Sequence, residues 1–134
     1  YVEHPSVQAR ALSEVDTWRA RRGVVILQDR GKRVPHPVLS FEEAPFPDWA
    51  TAELRSSGHT EPTPVQAQAW PIAASGCDLI AVAEAGSGKT LAYALPVLMR
   101  AASRIGRARQ LTGLIVVATA ELAAQVHDTL APCA

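Results

Sequence analysis

The chain has 134 residues, of which 48% are hydrophobic, so it is long enough to bury one domain-sized core. Thirteen basic residues balance thirteen acidic ones, so the overall charge offers no argument for nucleic acid as a partner. No apolar run approaches the roughly 18 residues of a membrane span, and Cys77 and Cys133 lack metal-type spacing. We therefore expect a soluble, intracellular protein. Because the chain begins with Tyr1 rather than Met, we also expect a fragment.

We expect residues 1–40 to form an N-terminal extension that precedes a domain at residues 41–134. Within them, Ser13–Ala20 opens with a residue able to cap a helix, and Gly23–Leu27 has the β-branched composition of a strand. The prolines of the run Pro35–Pro37 then favour an extended path.

The region from residue 41 onward alternates helical and strand patterns. Helical patterns cover Pro47–Ser57, Pro64–Gly76, Leu91–Ala102 and Glu121–Leu130. Thr63 is a suitable N-cap for the second of these helices, and Pro64 suits its first position. Two short apolar runs, Asp78–Ala83 and Leu114–Val117, have the composition of buried parallel strands. This order predicts an α/β fold with a parallel sheet.

A glycine-rich segment, Ala83-Glu84-Ala85-Gly86-Ser87-Gly88-Lys89-Thr90, matches the looser phosphate-loop pattern. It lies between a predicted strand and a predicted helix, an arrangement that aims backbone N–H groups at one anion. We expect phosphates to be cradled by Ala85, Gly86, Ser87 and Gly88. Lys89 would contact the β and γ phosphates, and the Thr90 hydroxyl would bind Mg²⁺. The alternative is a turn followed by a surface lysine. It is disfavoured because the chain has only two lysines, so composition does not account for a lysine at position 89.

The segment upstream addresses which base is bound. A glutamine such as Gln66 can accept from the adenine N6 amino group and donate to N7, and an aromatic ring such as Phe41 can stack on a base. Gly58-His59-Thr60-Glu61-Pro62-Thr63-Pro64-Val65-Gln66 resembles the Q motif of DEAD-box helicases, and Phe41 stands 17 residues before Gly58, where that family has an aromatic. A capping box, in which Gln66 bonds back to Thr63, is the structural alternative for the glutamine.

The resemblance to DEAD-box RNA helicases extends from Glu3 to Gln125. It implies a RecA-like P-loop domain, incomplete at its C-terminal side, from an ATP-dependent RNA helicase that uses ATP and Mg²⁺ and binds RNA. Lys89 and Thr90 would then be its catalytic residues. The run Gln66–Ala73 is similar to the subgroup that remodels nuclear RNA, which favours the nucleus over the cytoplasm. No oligomeric state follows from the sequence.

Four positions depart from the family pattern. Ala118-Thr119-Ala120-Glu121-Leu122-Ala123-Ala124-Gln125 stands where the family has Pro-Thr-Arg-Glu-Leu-Ala-x-Gln, a segment that contacts RNA. The resemblance assigns Thr119 and Glu121 to RNA binding. Because Ala120 replaces the arginine of the family pattern, we expect RNA binding to be weak. The other departures are Ala85 in the phosphate loop and His59 in the Q motif. The alternative for Thr119–Gln125 is a capped amphipathic helix without an RNA role. The four arginines between Arg100 and Arg109 are favoured as a solvated face, with contact to RNA phosphates as the alternative.

The 134 residues contain neither an Asp-Glu-Ala-Asp run nor a Ser-Ala-Thr run. We therefore expect this chain alone not to hydrolyse ATP. A different class of function also fits the departures: a non-catalytic module, from a truncated or decayed helicase, that binds nucleotide or a protein partner. A small-molecule kinase or GTPase is disfavoured because it leaves Phe41 and Gln66 unexplained.

Overall fold

A computed structural model describes residues 1–29, 31, 33–56, 58–103 and 111–133. Its helices are α1 Pro5–Gln8, α2 Leu12–Arg22, α3 Asp48–Ser56, α4 Pro64–Ala74, α5 Lys89–Ala102 and α6 Ala120–Leu130, followed by a 3₁₀ turn at Ala131–Cys133. Each helix expected from the sequence is confirmed, and its ends lie within two residues of the expected positions. Helix α1 was not expected. No helix in the described part of the chain is long and apolar enough to cross a membrane.

The core forms where α4 packs against α5. α4 is buried almost all round, and its Trp70 has no exposed surface. Leu91 and Leu95 lie four residues apart on α5, so both side chains are on the same face of that helix and reach the same cluster. Phe41 and Leu54 join them from the segment before α3 and from α3 itself. α6 then packs on α5, with Val126 buried.

The first 40 residues contribute to this core. Val7 of α1 and Val38 are fully buried members of the same cluster as Trp70. The buried His36 bonds through Nδ1 to the Val7 carbonyl oxygen at 3.1 Å, and the Val38 N–H donates to the Ala67 carbonyl at 3.0 Å. The division at residue 40 stays a prediction, but the segment before it packs on α4.

The described residues contain no strand, so the predicted parallel sheet is not confirmed by them. The apolar runs 78–83 and 114–117 have no regular secondary structure, and most of their residues are exposed: Ile80 is 94% exposed, Val82 93% and Val116 82%. Residues 23–27 are likewise without strand structure. A helix satisfies its N–H and C=O groups internally, whereas a strand needs neighbours on its edges. Among the described residues these runs have no such neighbour.

Candidate nucleotide-binding site

The phosphate loop ends in the first turn of α5. Gly86 has φ +75° and Gly88, the N-cap of α5, has φ +87°. Both angles lie in the left-handed region that glycine adopts most easily, and they turn the chain sharply into the helix. The Lys89 ammonium donates to the carbonyl oxygen of Ala83, at 2.7 Å, and to that of Glu84. Lys89 therefore folds back over the loop that precedes it.

Gln66 of α4 contacts the phosphate loop directly. Its Nε2 donates to the Gly88 carbonyl oxygen at 3.1 Å. A Cβ added to Gly88 would lie 2.5 Å from Gln66 Nε2 and 3.0 Å from Thr63 Oγ1. Only a glycine allows this approach, because 2.5 Å is far inside van der Waals contact. The structure thus joins two segments that are 22 residues apart in the sequence.

The other end of the Gln66 amide serves the helix. Its Oε1 accepts from the Thr63 backbone N–H at 3.0 Å, which is half of the capping box considered from the sequence. The Thr63 hydroxyl does not complete the box. Because an amide oxygen can accept two hydrogen bonds and an amide nitrogen can donate two, Gln66 keeps one acceptor and one donor position. That is the set which an adenine edge needs, although Gln66 is only 2% exposed and a base must displace its cover.

Two hydroxyl groups in this region are buried without a partner among the described residues: Thr63 Oγ1 and Ser87 Oγ. Buried polar atoms are normally hydrogen-bonded, so an orphan marks a place where a ligand or water fits. The N–H groups in the first turn of α5 also have no partner within the helix. Orphan donors, a left-handed glycine cradle and the ammonium of Lys89 together form a suitable environment for an anion. The residues present therefore fit a phosphate chain.

Phe41 lies close to this region but is covered. It is 2% exposed and packs on Trp70 with 6.3 Å between ring centroids. The guanidinium of Arg55 lies over the Phe41 ring at 5.7 Å from its centroid, and Arg55 is paired with Glu42. A base could stack on that face only after Arg55 leaves it. The assignment of Phe41 to adenine binding remains a prediction.

Trp70 has a role in the site that the sequence reasoning did not assign. Its Nε1–H donates to the Leu91 carbonyl oxygen at 3.1 Å, which fastens α4 to the first turn of α5. It follows Gln66 by four residues, so the two side chains lie one above the other on α4. The signal was available in the sequence as a tryptophan one turn after the glutamine.

The residues assigned to RNA lie at the start of α6. Thr119 Oγ1 accepts from the Leu122 N–H at 3.2 Å and caps the helix. The Glu121 backbone N–H, together with the Thr119 hydroxyl, holds the pKa of the exposed Glu121 carboxyl below its usual value. Among the described residues no hydrogen bond joins either to the phosphate loop. The RNA assignment stays a prediction, and Arg104, Arg107 and Arg109 lie outside the described residues.

Comparisons with known proteins give a consistent picture. The family model "DEAD/DEAH box helicase" matches residues 63–134, more than half of the chain. The chain is 44% identical over 129 residues to ATP-dependent RNA helicase DBP2 of Mycosarcoma maydis, covering 95% of this chain and 23% of that protein. It is also 44% identical to DEAD-box ATP-dependent RNA helicase 30 of Arabidopsis thaliana, covering 96% and 22%.

The fold is similar to a solved helicase structure. The RNA helicase Prp28 from Chaetomium thermophilum, bound to ADP, aligns with a TM-score of 0.81 at 28% identity, covering 98% of this chain and 32% of that one. The chain spans about a quarter of the length of the two curated relatives. Because the family model covers more than half of its residues, the chain belongs to the DEAD/DEAH box helicase family.

Proposed function

We propose that this chain forms the ATP-binding part of an ATP-dependent RNA helicase. The observation that carries the proposal is the hydrogen bond from Gln66 Nε2 to the Gly88 carbonyl oxygen. It brings a side chain with adenine-reading chemistry into contact with a loop that has phosphate-binding chemistry. A phosphate loop alone would not distinguish adenine from guanine.

Each residue has a role that follows from its chemistry. Gln66 accepts from the adenine N6 amino group and donates to N7. The Lys89 ammonium exchanges the Ala83 and Glu84 carbonyl oxygens for the β and γ phosphate oxygens, which are stronger partners because they are charged. The backbone of Ala85 to Gly88 cradles the phosphates, and the Thr90 hydroxyl is the ligand for Mg²⁺. When bound, Mg²⁺ neutralises charge on the β and γ phosphate oxygens.

The activity of a whole helicase requires more than these residues. ATP hydrolysis needs an oriented water and a cation on the γ-phosphate, and an arginine finger alone is worth about 10³ to 10⁵ in rate. We propose that other parts of the protein supply these groups, together with strands that complete a parallel sheet around residues 78–83 and 114–117. RNA binding through Thr119 and Glu121 is weak, because Ala120 stands where the family has arginine.

A second candidate is a non-catalytic nucleotide-binding module. It is favoured by four substitutions relative to the family pattern, at His59, Ala85, Ala118 and Ala120. Both candidates require an ATP site, and they differ in turnover. RNA-stimulated phosphate release by the protein that contains this sequence supports the enzyme, and tight ATP binding without release supports the module.

The site is tested by calorimetric titration of the chain with ATP, after circular dichroism has shown that it is folded. Lys89→Ala is expected to weaken ATP binding by at least about tenfold, because it removes a charge-assisted contact worth roughly 1.5–3 kcal/mol. Arg100→Ala, which removes an exposed cation from the far end of α5, is the control and is expected to bind like wild type. Equal binding by Lys89→Ala and Arg100→Ala would contradict the site.

A further inference from the structure

The N-terminal region is fastened to the segment before α3 by one ion pair. Arg10 Nη2 donates to Glu43 Oε1 at 2.6 Å, and both side chains are 11% exposed. Arg10 Nη1 also donates to the Pro37 carbonyl oxygen at 2.7 Å. The guanidinium therefore holds a carboxylate and a backbone carbonyl at the same time.

Glu43 holds the same segment from its other end. Its Oε2 accepts from the Leu39 backbone N–H at 2.7 Å, and its Oε1 also accepts from Ser6 Oγ at 2.9 Å. Together with Arg10, it fixes the chain at Pro37 and Leu39. We call this arrangement the Arg10–Glu43 clamp.

A second contact fixes the same region to α4. Arg19 Nε donates to Gln68 Oε1 at 2.9 Å, and Gln68 Nε2 donates to the Pro35 carbonyl oxygen at 2.9 Å. Gln68 is buried and stands two residues after Gln66. The segment from Pro35 to Glu43 is thus tied both to the N-terminal helices and to the helix that carries the adenine-reading glutamine.

Burial makes the Arg10–Glu43 pair different from the other ion pairs of this region. The side chains of Arg22 and Glu61, paired at 3.2 Å, are 48% and 58% exposed. Surface ion pairs of this kind contribute little to the free energy of folding. Arg10 and Glu43 are largely withdrawn from water, so removing one partner leaves the other charge poorly solvated. Loss of the pair should therefore loosen the segment at Pro37 and Leu39, where Arg10 and Glu43 hold its backbone.

We infer that Arg10 and Glu43 are positioning residues for the adenine end of the nucleotide site. This inference rests on the proposed function. The clamp fixes residues 37–43, which carry Phe41 against Trp70, and Trp70 stands one helical turn from Gln66. In the described part of the chain, neither Arg10 nor Glu43 forms a hydrogen bond to the phosphate loop. Loss of the Arg10–Glu43 clamp should weaken binding of the base and leave binding of the phosphates unchanged.

The test compares two ligands on matched variants. Arg10→Met keeps an unbranched side chain close to the aliphatic part of arginine and removes the guanidinium. Glu43→Gln keeps the shape of the side chain and removes the opposite charge. Arg22→Met is the control, because it removes an arginine from the same N-terminal region but from an exposed pair. Each folded variant is titrated calorimetrically with ATP and with inorganic tripolyphosphate, which has phosphates but no base.

The clamp variants are expected to bind ATP about threefold to tenfold more weakly, as when the binding-competent arrangement falls to roughly 10–30% of the population. Tripolyphosphate affinity should change by less than about twofold, within the scatter of such contacts. Arg22→Met should bind both ligands like wild type. Unchanged ATP affinity in both clamp variants overturns the inference.

The remaining outcomes separate this inference from the proposed function. If wild type binds ATP no better than tripolyphosphate, there is no base recognition and the proposed function itself fails. If wild type prefers ATP but both clamp variants lose affinity for both ligands, or lose their circular dichroism signal, the pair is a general stabiliser and the positioning role is wrong.

Discussion

The apolar runs at 78–83 and 114–117 were expected to be buried, but it is the junction of α4 with α5 that forms the buried core. At the junction, Trp70 and Leu95 are fully buried and Gln66 bonds to the phosphate loop. In the apolar runs, Ile80 and Val82 are more than 90% exposed. The difference follows from the available packing partners. α4 and α5 bury their apolar side chains against each other, whereas no neighbouring strand for the apolar runs is present among the described residues.

This contrast separates the residues of the proposed site from the rest of the apolar sequence. The residues that would hold a nucleotide depend on the helical junction, through Gln66, Gly88 and the Trp70 bond to Leu91. Of the two apolar runs, only 78–83 leads directly into the loop. The residues of the candidate site therefore come together among the described residues without the predicted sheet.

The largest expected effect comes from truncating one side chain in the α4–α5 core and one in an exposed apolar run. Leu95→Ala should lower the free energy of unfolding by about 2–5 kcal/mol, because it opens a cavity in the core. Ile80→Ala should change it by no more than about 0.5 kcal/mol, as for an exposed side chain. Urea unfolding followed by circular dichroism measures both. Comparable losses would mean that residue 80 is buried in solution and that the contrast is wrong.

Two glycines of the phosphate loop sharpen the comparison inside the site. Gly86 and Gly88 both have positive φ, so replacement by alanine strains the backbone of both. A Cβ meets nothing within 4 Å at Gly86, whereas at Gly88 it meets Gln66 and Thr63. Gly88→Ala should therefore be less stable than Gly86→Ala by about 1–3 kcal/mol. Equal stability in thermal or urea unfolding would show that Gln66 does not pack on the loop.

A smaller effect is expected at α6. Thr119→Ala removes the hydroxyl that accepts from the Leu122 N–H and should cost about 1 kcal/mol. Thr129→Ala is the control, since that hydroxyl only bonds back to Gln125 within the helix. Thr119→Ser should restore the cap. If Thr119→Ala leaves unfolding unchanged but weakens binding to single-stranded RNA, then the residue serves RNA rather than the helix.

Local signals in the sequence predicted the helices well. Thr63 with Pro64 marked the start of α4, and the glycine-rich loop marked the start of α5 to within two residues. The strands were predicted from composition alone, but strand formation depends on neighbours that no local pattern supplies. The phosphate loop and Gln66 were recognised as separate motifs, and their contact through Gly88 follows from packing that the sequence does not display.

Other features were out of reach for the same reason. Phe41 was chosen for its ring and its spacing, whereas its burial under Arg55 is a tertiary property. The Arg10–Glu43 pair joins residues 33 positions apart, and neither residue belongs to a recognised motif. Its partial burial became visible only in the folded chain.

The central claim is that Gln66 and the phosphate loop form a single adenine nucleotide site. It is tested most directly by measuring ATP and GTP affinities for wild type, Gln66→Glu and the exposed control Gln125→Glu. Gln66→Glu keeps an acceptor for the Thr63 N–H and loses the donor to N7 and to Gly88. Wild type and Gln125→Glu should prefer ATP by about tenfold or more, equivalent to about 1.4 kcal/mol, and Gln66→Glu should lose that preference. Equal affinity of wild type for ATP and GTP, or an unchanged preference in Gln66→Glu, would contradict the claim.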